Sequence, residues 1–539
     1  MKITRILSIL LISLAGLNMP YVMAAVMAAD MASKDQSQKN LLVIMADDLN
    51  DWVGVYGGHP QVKTPNIDRL VSMGVRFDNF HTAVPLCNPS RAAVWTGIRP
   101  HVSGIHTNHD AHYKDGSTVL HEHLQNNGFY NIGAGKIFHG GSGGGRVVKF
   151  WDQYTSYRNV QNETNKVNSL HADIPDSHKN DIKKPMKFRG FDWYQLPNND
   201  ELVPDHRITT GFINNFNNRP KNKPFAGFVG QFFPHLPWIL PKKYFDMFPL
   251  EDIILPEKGH NDTADIPVEH IENYKKRERE HQLMVDNDLE KQAVQAYLAS
   301  TYFADLQIGR ILDMLEESGE MDNTVILFWS DHGWHFGEKN NWHKQTLWEE
   351  ATRTPFGMVV PGMTKPGSVT TRTADSISIF NTVFELLGVK APKGQSEGIS
   401  IVPLLKNPQL SWEHPAISTN FSGSHSVRSE HWRYTRYASG GEELYDHRTD
   451  QTESVNLLHS TNNNRPEFHA LIRDQLKQHL VQGGFPLKPP PVVEKTSQNT
   501  KYLKDMFKSN PKADINKDGV MSKKEWTVFK NKQKKLARL

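Results

Sequence analysis

The sequence holds a single cysteine, Cys87, among 539 residues, so an intramolecular disulfide or a cysteine-built zinc finger is excluded. Long apolar runs are equally scarce. The stretch Ile6 to Leu17 falls short of the ~20 residues a spanning helix needs, and no later segment comes closer, so no stable insertion in a membrane is expected. Signatures of nucleic-acid modules are missing, as are solenoid repeats. What remains is an ordinary globular composition, 38% hydrophobic and 22% charged. The chain is long enough for one large cored domain and one or two smaller units.

Residues 1–28 combine Lys2 and Arg5, an apolar core, and the small-residue sites Val22-Met23-Ala24 and Val26-Met27-Ala28. That is the pattern of a cleaved signal peptide, which implies export to the periplasm or secretion. Exported proteins of this size often use disulfides, and Cys87 cannot form one internally. It is either a small buried hydrophobe or a residue with chemistry to do. The net charge of +3 conceals an asymmetry: Lys495 to Leu539 carries thirteen Lys or Arg against four Asp or Glu, or +9, which leaves −6 for the remainder. Such a tail is a solvated helix face or a hold on anionic polymers.

From Leu41 onward, short apolar runs alternate with helical stretches, which predicts an α/β fold with a large, mostly parallel buried sheet between helices. The clearest strands are Leu41–Met45, Phe225–Phe233 and Thr324–Trp329. The main domain is expected over 41–405. A smaller α+β subdomain follows over 411–484, with β-type sequence at Ser426–Tyr437 and a helix at Pro466–Val481. A proline-rich linker (485–495) then leads to a helix–loop–helix over 496–539. Ligands of open α/β sheets bind beyond the carboxyl ends of the strands. Each clear strand runs straight into reactive side chains there: Asp47-Asp48, Pro234-His235 and Asp331-His332.

Asp47, Asp48 and Asp331 with His332 make an oxygen-rich set that suits a hard cation, calcium or magnesium. Cys87 stands immediately before an expected helix start in Cys87-Asn88-Pro89-Ser90-Arg91, where backbone N–H groups favour an anionic reacting group. Arg91 adds a fixed charge suited to gripping oxyanions.

This Cys-x-Pro-Ser-Arg run, followed by four residues and Thr96-Gly97, resembles the signature of the type I sulfatases. Gly128 to His139 resembles the family's second signature, and Glu443-Leu444-Tyr445-Asp446 its C-terminal subdomain. The resemblance implies the alkaline phosphatase-like fold. It also implies that a maturation enzyme oxidises Cys87 to formylglycine and that calcium is held by Asp47, Asp48, Asp331, His332 and the modified Cys87. By the same resemblance, Arg91 and Lys136 steady the formylglycine hydrate, and Lys136 with Lys344 neutralises the sulfate oxygens. His235 protonates the leaving group, and His139 deprotonates the hydroxyl of the sulfated intermediate. Lys344 is preferred to the nearby Lys339 because the family's lysine follows the tryptophan-containing turn. The forms Gly-Lys-Ile-Phe-His and Phe-Pro-His-Leu-Pro are most similar to the iduronate-2-sulfatase branch. They imply a sulfated oligosaccharide or polysaccharide fragment bearing a uronic acid or rhamnose-type sugar. Two other readings are a phosphodiesterase or phosphonate monoester hydrolase of the same superfamily, and a catalytically silent glycan binder. The last would be marked by loss of Cys87, Lys136 or His139, all of which are present. Specificity is expected from loops at 101–113 and 140–205.

Near the end of the chain, Asp514, Asn516, Asp518, Val520, Ser522 and Glu525 fall at the ligand positions of an EF-hand loop, with Gly519 at its turn. A second calcium ion, structural or used in docking, is expected there.

Overall fold

The computed structural model describes residues 38–156 and 193–487, apart from 259–262, 272, 422, 460 and 462. The expected signal peptide, most of the expected linker and the whole EF-hand-like run from Asp514 to Glu525 lie outside the described residues.

Runs of apolar residues without polar alternation form strands buried on both faces, and this explains the central sheet. Its strands are β1 (Asn40–Ala46), β2 (Val75–Phe77), β3 (Tyr130–Gly135), β4 (Gln153–Ser156), β5 (Phe225–Gly230), β6 (Thr324–Ser330), β7 (Phe356–Val359) and β8 (Ser368–Thr370). The spatial order is β8-β2-β7-β6-β1-β5-β3-β4. Pairing is parallel except where β7 meets β6 and β2, so β7 alone runs against the rest. In β1, Leu41, Val43 and Met45 enter one core together with Val94, Trp95, Phe380 and Phe384. The alternate residues Leu42, Ile44 and Ala46 enter the other, with Phe212, Ile308, Ile311 and Leu312. The first core is covered by α2 (Cys87–Thr96) and α5 (Ser378–Leu386); the second by α1 (Pro65–Ser72), α3 (Pro204–Asn217) and the long α4 (Glu290–Glu317).

β1 and β6 form as the sequence predicts. The third expected strand ends early, at Gly230 rather than Phe233. There the chain leaving β3, the parallel neighbour of β5, lies so close that a Cβ on Gly230 would be 2.2 Å from the Lys136 carbonyl oxygen. The freed residues, Gln231 to His235, form a loop at the sheet's carboxyl edge.

A second sheet is an antiparallel meander of β9 (Ala416–Asn420), β10 (Ser424–Arg428), β11 (Trp432–Arg436) and β12 (Glu442–Asp446). The single β run read at Ser426–Tyr437 is therefore two strands and a turn. Helix α6 (Pro466–Gln482) buries Leu476 and Leu480. The meander is fastened to the main body through β9, where Thr419 N–H donates to the Ala83 carbonyl (2.9 Å) and the Ser418 hydroxyl to that of Thr82 (2.6 Å). Among the described residues, no helix is long and apolar enough to cross a membrane.

Candidate active site

Four chain segments leave the same edge of the sheet and converge. After β1, Asp48 takes a left-handed backbone (φ 63°), an uncommon conformation for a residue other than glycine. That twist breaks the strand's two-face alternation and turns both Asp47 and Asp48 to one place. The Asp48 N–H donates to Asp331 Oδ1 (3.1 Å), which locks the ends of β1 and β6 together.

Cys87 is the first residue of α2 rather than the residue before it, and all ten residues of this helix are buried. The Cys87 sulfur lies 3.1 Å from Lys344 Nζ, 3.3 Å from His332 Nε2, and 3.9 Å from both Lys136 Nζ and Asp48 Oδ1. Burial pushes the thiol pKa up, but Lys136, Lys344, His332 and the His139 side chain outweigh it, and the net shift is well below the ordinary thiol value.

One turn along α2, Arg91 is completely buried and bridges two carboxylates: Nε to Asp331 Oδ2 at 2.8 Å and a terminal nitrogen to Asp47 Oδ1 at 3.2 Å. It also bonds to the carbonyls of Lys136 and Ile137. Lys136 forms an ion pair with Asp47 Oδ2. Burial would raise the Asp47 carboxyl, yet Lys136 holds it below the usual range. Burial does dominate at Asp331, which rises to about 6 despite Arg91. His332 goes the other way: burial disfavours its charge, but Asp331 and Asp48 raise it to about 9.

His139 stands at the tip of a tight turn closed by paired hydrogen bonds between Phe138 and Gly141 (2.8 and 2.9 Å). His235 lies on the loop after β5, with Nε2 3.8 Å from Asp48 Oδ2. The structure thus brings Asp47, Asp48, Arg91, Lys136, His139, His235, Asp331, His332 and Lys344 around the Cys87 sulfur, and it separates the two candidate lysines. Lys339 is buried elsewhere, its ammonium donating to the Glu453 carbonyl (2.5 Å) beside Trp348 and Tyr445.

The donor set suits a hard cation. Asp47, Cys87, Asp331 and His332 offer ligand atoms within 4.8 Å of one another, as do Asp47, Asp48, Cys87 and His235. Asp48 Oδ2 is buried without a hydrogen-bond partner, an arrangement that costs free energy unless a cation or donor meets it.

Three supporting residues gave no sequence signal. Tyr297, inside apolar α4, donates to the Asp48 carbonyl (2.9 Å) and accepts from Asn50 N–H (3.0 Å). Asp205, at the start of α3, accepts the N–H groups of Phe232 (2.8 Å) and Phe233 (2.8 Å) and so holds the His235 loop. Arg277 binds the Lys344 loop through Asn341 Oδ1 (2.9 Å) and the carbonyls of Lys344 (2.8 Å) and Gln345 (3.0 Å).

The family model described as Sulfatase matches residues 39–389, and one described as N-sulphoglucosamine sulphohydrolase, C-terminal, matches residues 337–482. A sulfatase of Formosa agariphila is 32% identical over 448 residues, covering 78% of this chain and 83% of the relative. Iduronate 2-sulfatase of Mus musculus is 29% identical, covering 61% of this chain and 60% of the relative. The solved structure of BT4656 in complex with its substrate D-glucosamine-2-N,6-O-disulfate shares the fold, with a TM-score of 0.63 and 21% identity, over 83% of this chain and 98% of that one.

Proposed function

The chain belongs to the sulfatase family and is a sulfuric ester hydrolase, and on that premise we propose that it removes sulfate from a sulfated carbohydrate through a formylglycine derived from Cys87. The observation that carries this reading is the placing of Cys87 in the first turn of a buried helix, inside a ring of cations and carboxylates. Formylglycine, made by a separate maturation enzyme, supplies as its hydrate an oxygen nucleophile where the thiol now lies.

Asp47, Asp48, Asp331, His332 and residue 87 would hold a calcium ion, which polarises that oxygen and offsets charge on the sulfuryl group. Arg91 keeps Asp47 and Asp331 in place. Lys136 and Lys344 both reach the position of the sulfur atom, so each can neutralise a sulfuryl oxygen as charge develops on it. His235, at the mouth, donates a proton to the departing sugar oxygen. His139, close to residue 87, takes the proton from the hydroxyl that remains there, and elimination then releases sulfate.

The likeness to iduronate 2-sulfatase supports a sulfated uronic acid as the substrate sugar; a rhamnose-type sugar in an oligosaccharide cut from a polysaccharide is the other form of this proposal. The amino-terminal segment supports export to the periplasm or beyond. The test is to co-express the chain with a formylglycine-generating enzyme and to assay inorganic sulfate from sulfated oligosaccharides and phosphate from phosphate diesters, with Cys87→Ala in parallel. Sulfate release that vanishes in the variant supports the reading. Turnover of phosphate diesters alone, or full activity in Cys87→Ala, overturns it.

A further inference from the structure

The Cys-x-Pro-Ser-Arg pattern leaves its second position open, and here it is Asn88. This side chain is 1% exposed and spends every polar atom on one loop. Its amide nitrogen donates to the carbonyls of Thr107 (3.0 Å), Asp110 (3.3 Å) and Ala111 (3.1 Å). With the amide nitrogen thus fixed as donor, Oδ1 is the acceptor and His112 Nδ1–H donates to it (2.8 Å). The Asn88 backbone N–H donates to Asn108 Oδ1 (2.9 Å).

The loop is also tied internally, since Asp110 Oδ2 accepts the N–H groups of His106 and Thr107, both at 2.7 Å. Its far side reaches the rest of the site. The His112 ring lies 6.3 Å from that of Phe138, the neighbour of His139. The His106 side chain bonds to the backbone of Phe421. Beside Phe421, Asn420 donates to the Gln345 carbonyl (2.7 Å), next to Lys344. The loop thus touches the segment that carries His139 through a ring contact and the segments near Lys344 through hydrogen bonds, and Asn88 is where it is pinned to the helix that carries residue 87.

We propose that Asn88 is a specificity-determining positioning residue, which locks the loop from Thr107 to His112 beside Cys87 as the wall against which the sugar bearing the sulfate seats. This rests on the sulfatase reading above. Binding that needs the wall belongs to the sugar and not to the sulfuryl group, so a small aryl sulfate depends on it far less. A preformed wall lowers the ordering needed on binding, and loss of the clamp should raise KM for the sugar more than it lowers kcat.

The test compares wild type, Asn88→Ala and His112→Ala, each with its conversion of Cys87 measured by mass spectrometry, because Asn88 lies inside the run that the maturation enzyme must recognise. The ratio of kcat/KM for a sulfated oligosaccharide to kcat/KM for an aryl sulfate is expected to fall about tenfold or more in both variants, mostly through KM. Amide hydrogen exchange in residues 106–112 is expected to speed up in Asn88→Ala. An unchanged ratio in converted protein overturns the proposal, as does exchange at the wild-type rate. If Asn88→Ala fails to fold, His112→Ala carries the ratio test alone. Failure of the sulfatase reading itself shows separately, as fully converted wild type that releases no sulfate from either substrate, and the exchange experiment then decides on the clamp.

Discussion

Replacing Arg433 by Met tests whether the second sheet holds the loop that carries Lys344 in place. Arg433, on β11, is completely buried and pairs with Glu453 through Nε and with Glu349 through a terminal nitrogen. It also donates to the Leu347 carbonyl (3.1 Å), three residues beyond Lys344, and to the Ser426 hydroxyl (2.9 Å). Removing one partner of a buried charge pair costs about 3–5 kcal/mol. Here each carboxylate keeps a second partner, Glu453 with His447 at 2.9 Å and Glu349 with Arg428 at 3.2 Å, which favours the lower end. The Leu347 carbonyl and Ser426 hydroxyl lose a donor at about 1 kcal/mol each, for a total of about 5 kcal/mol.

The pH dependence of this loss has a definite sign. Burial alone would raise Glu453, but Arg433 and His447 hold it below the ordinary carboxylate value. That contribution is present above the unfolded pKa and fades as pH falls through the folded one. The variant lacks most of it, so its deficit should shrink on acidification. Urea unfolding of both proteins at neutral and mildly acid pH measures this, with Glu453→Gln completing a double-mutant cycle. A cost below about 1 kcal/mol, or a deficit that grows toward acid pH, would refute the reasoning.

Lys344→Ala should lower kcat/KM for sulfate esters by about 10²–10³ with little change in melting temperature. Lys339→Ala should instead destabilise the fold by about 2 kcal/mol, through the Glu453 carbonyl that loses its donor; kinetics and thermal melts on the two variants separate the roles. Burial lifts the Asp205 carboxyl from 3.8 to about 7 despite the N–H groups of Phe232 and Phe233. The folded protein then retains a proton that the unfolded chain has released, so this residue's stabilising contribution is present at low pH and lost as pH rises through about 7. The stability of Asp205→Asn relative to wild type is expected to rise as pH rises across that range, by at most roughly 4 kcal/mol, as read from urea midpoints. Chelation of divalent ions should abolish turnover and lower the melting temperature, both restored by calcium; turnover that survives exhaustive chelation would remove the metal from the site.

Much of the site was legible because its parts are local in sequence. Parallel strands buried on both faces read as unbroken apolar runs, and their carboxyl ends point at Asp47, Asp331 and the His235 loop. Cys87, Arg91 and His139 lie in short runs that resemble the two signatures of the sulfatase family. The residues that escaped act across long separations: Tyr297 on Asp48, Asp205 on Phe232, Arg277 on Lys344 and Arg433 on Glu349. A buried tyrosine in an apolar helix, or a lysine- and arginine-rich helix such as Tyr274–Asp286, looks the same whether its polar atom meets the site or only the fold. The strand ends at Gly230 for a similar reason, since the backbone of Lys136 that crowds it comes from a distant part of the chain. The turn inside Ser426–Tyr437 was hidden because Ser429, Glu430 and His431 interrupt the β-type sequence without a glycine or proline.

The most direct test is the mass of the peptide containing residue 87, taken from protein co-expressed with a formylglycine-generating enzyme, alongside sulfate release from a sulfated oligosaccharide by the same preparation. The expected result is an aldehyde in place of the thiol and an activity proportional to the converted fraction. An intact thiol in fully active protein, or an aldehyde in protein that releases no sulfate, would contradict the chemistry assigned to Cys87.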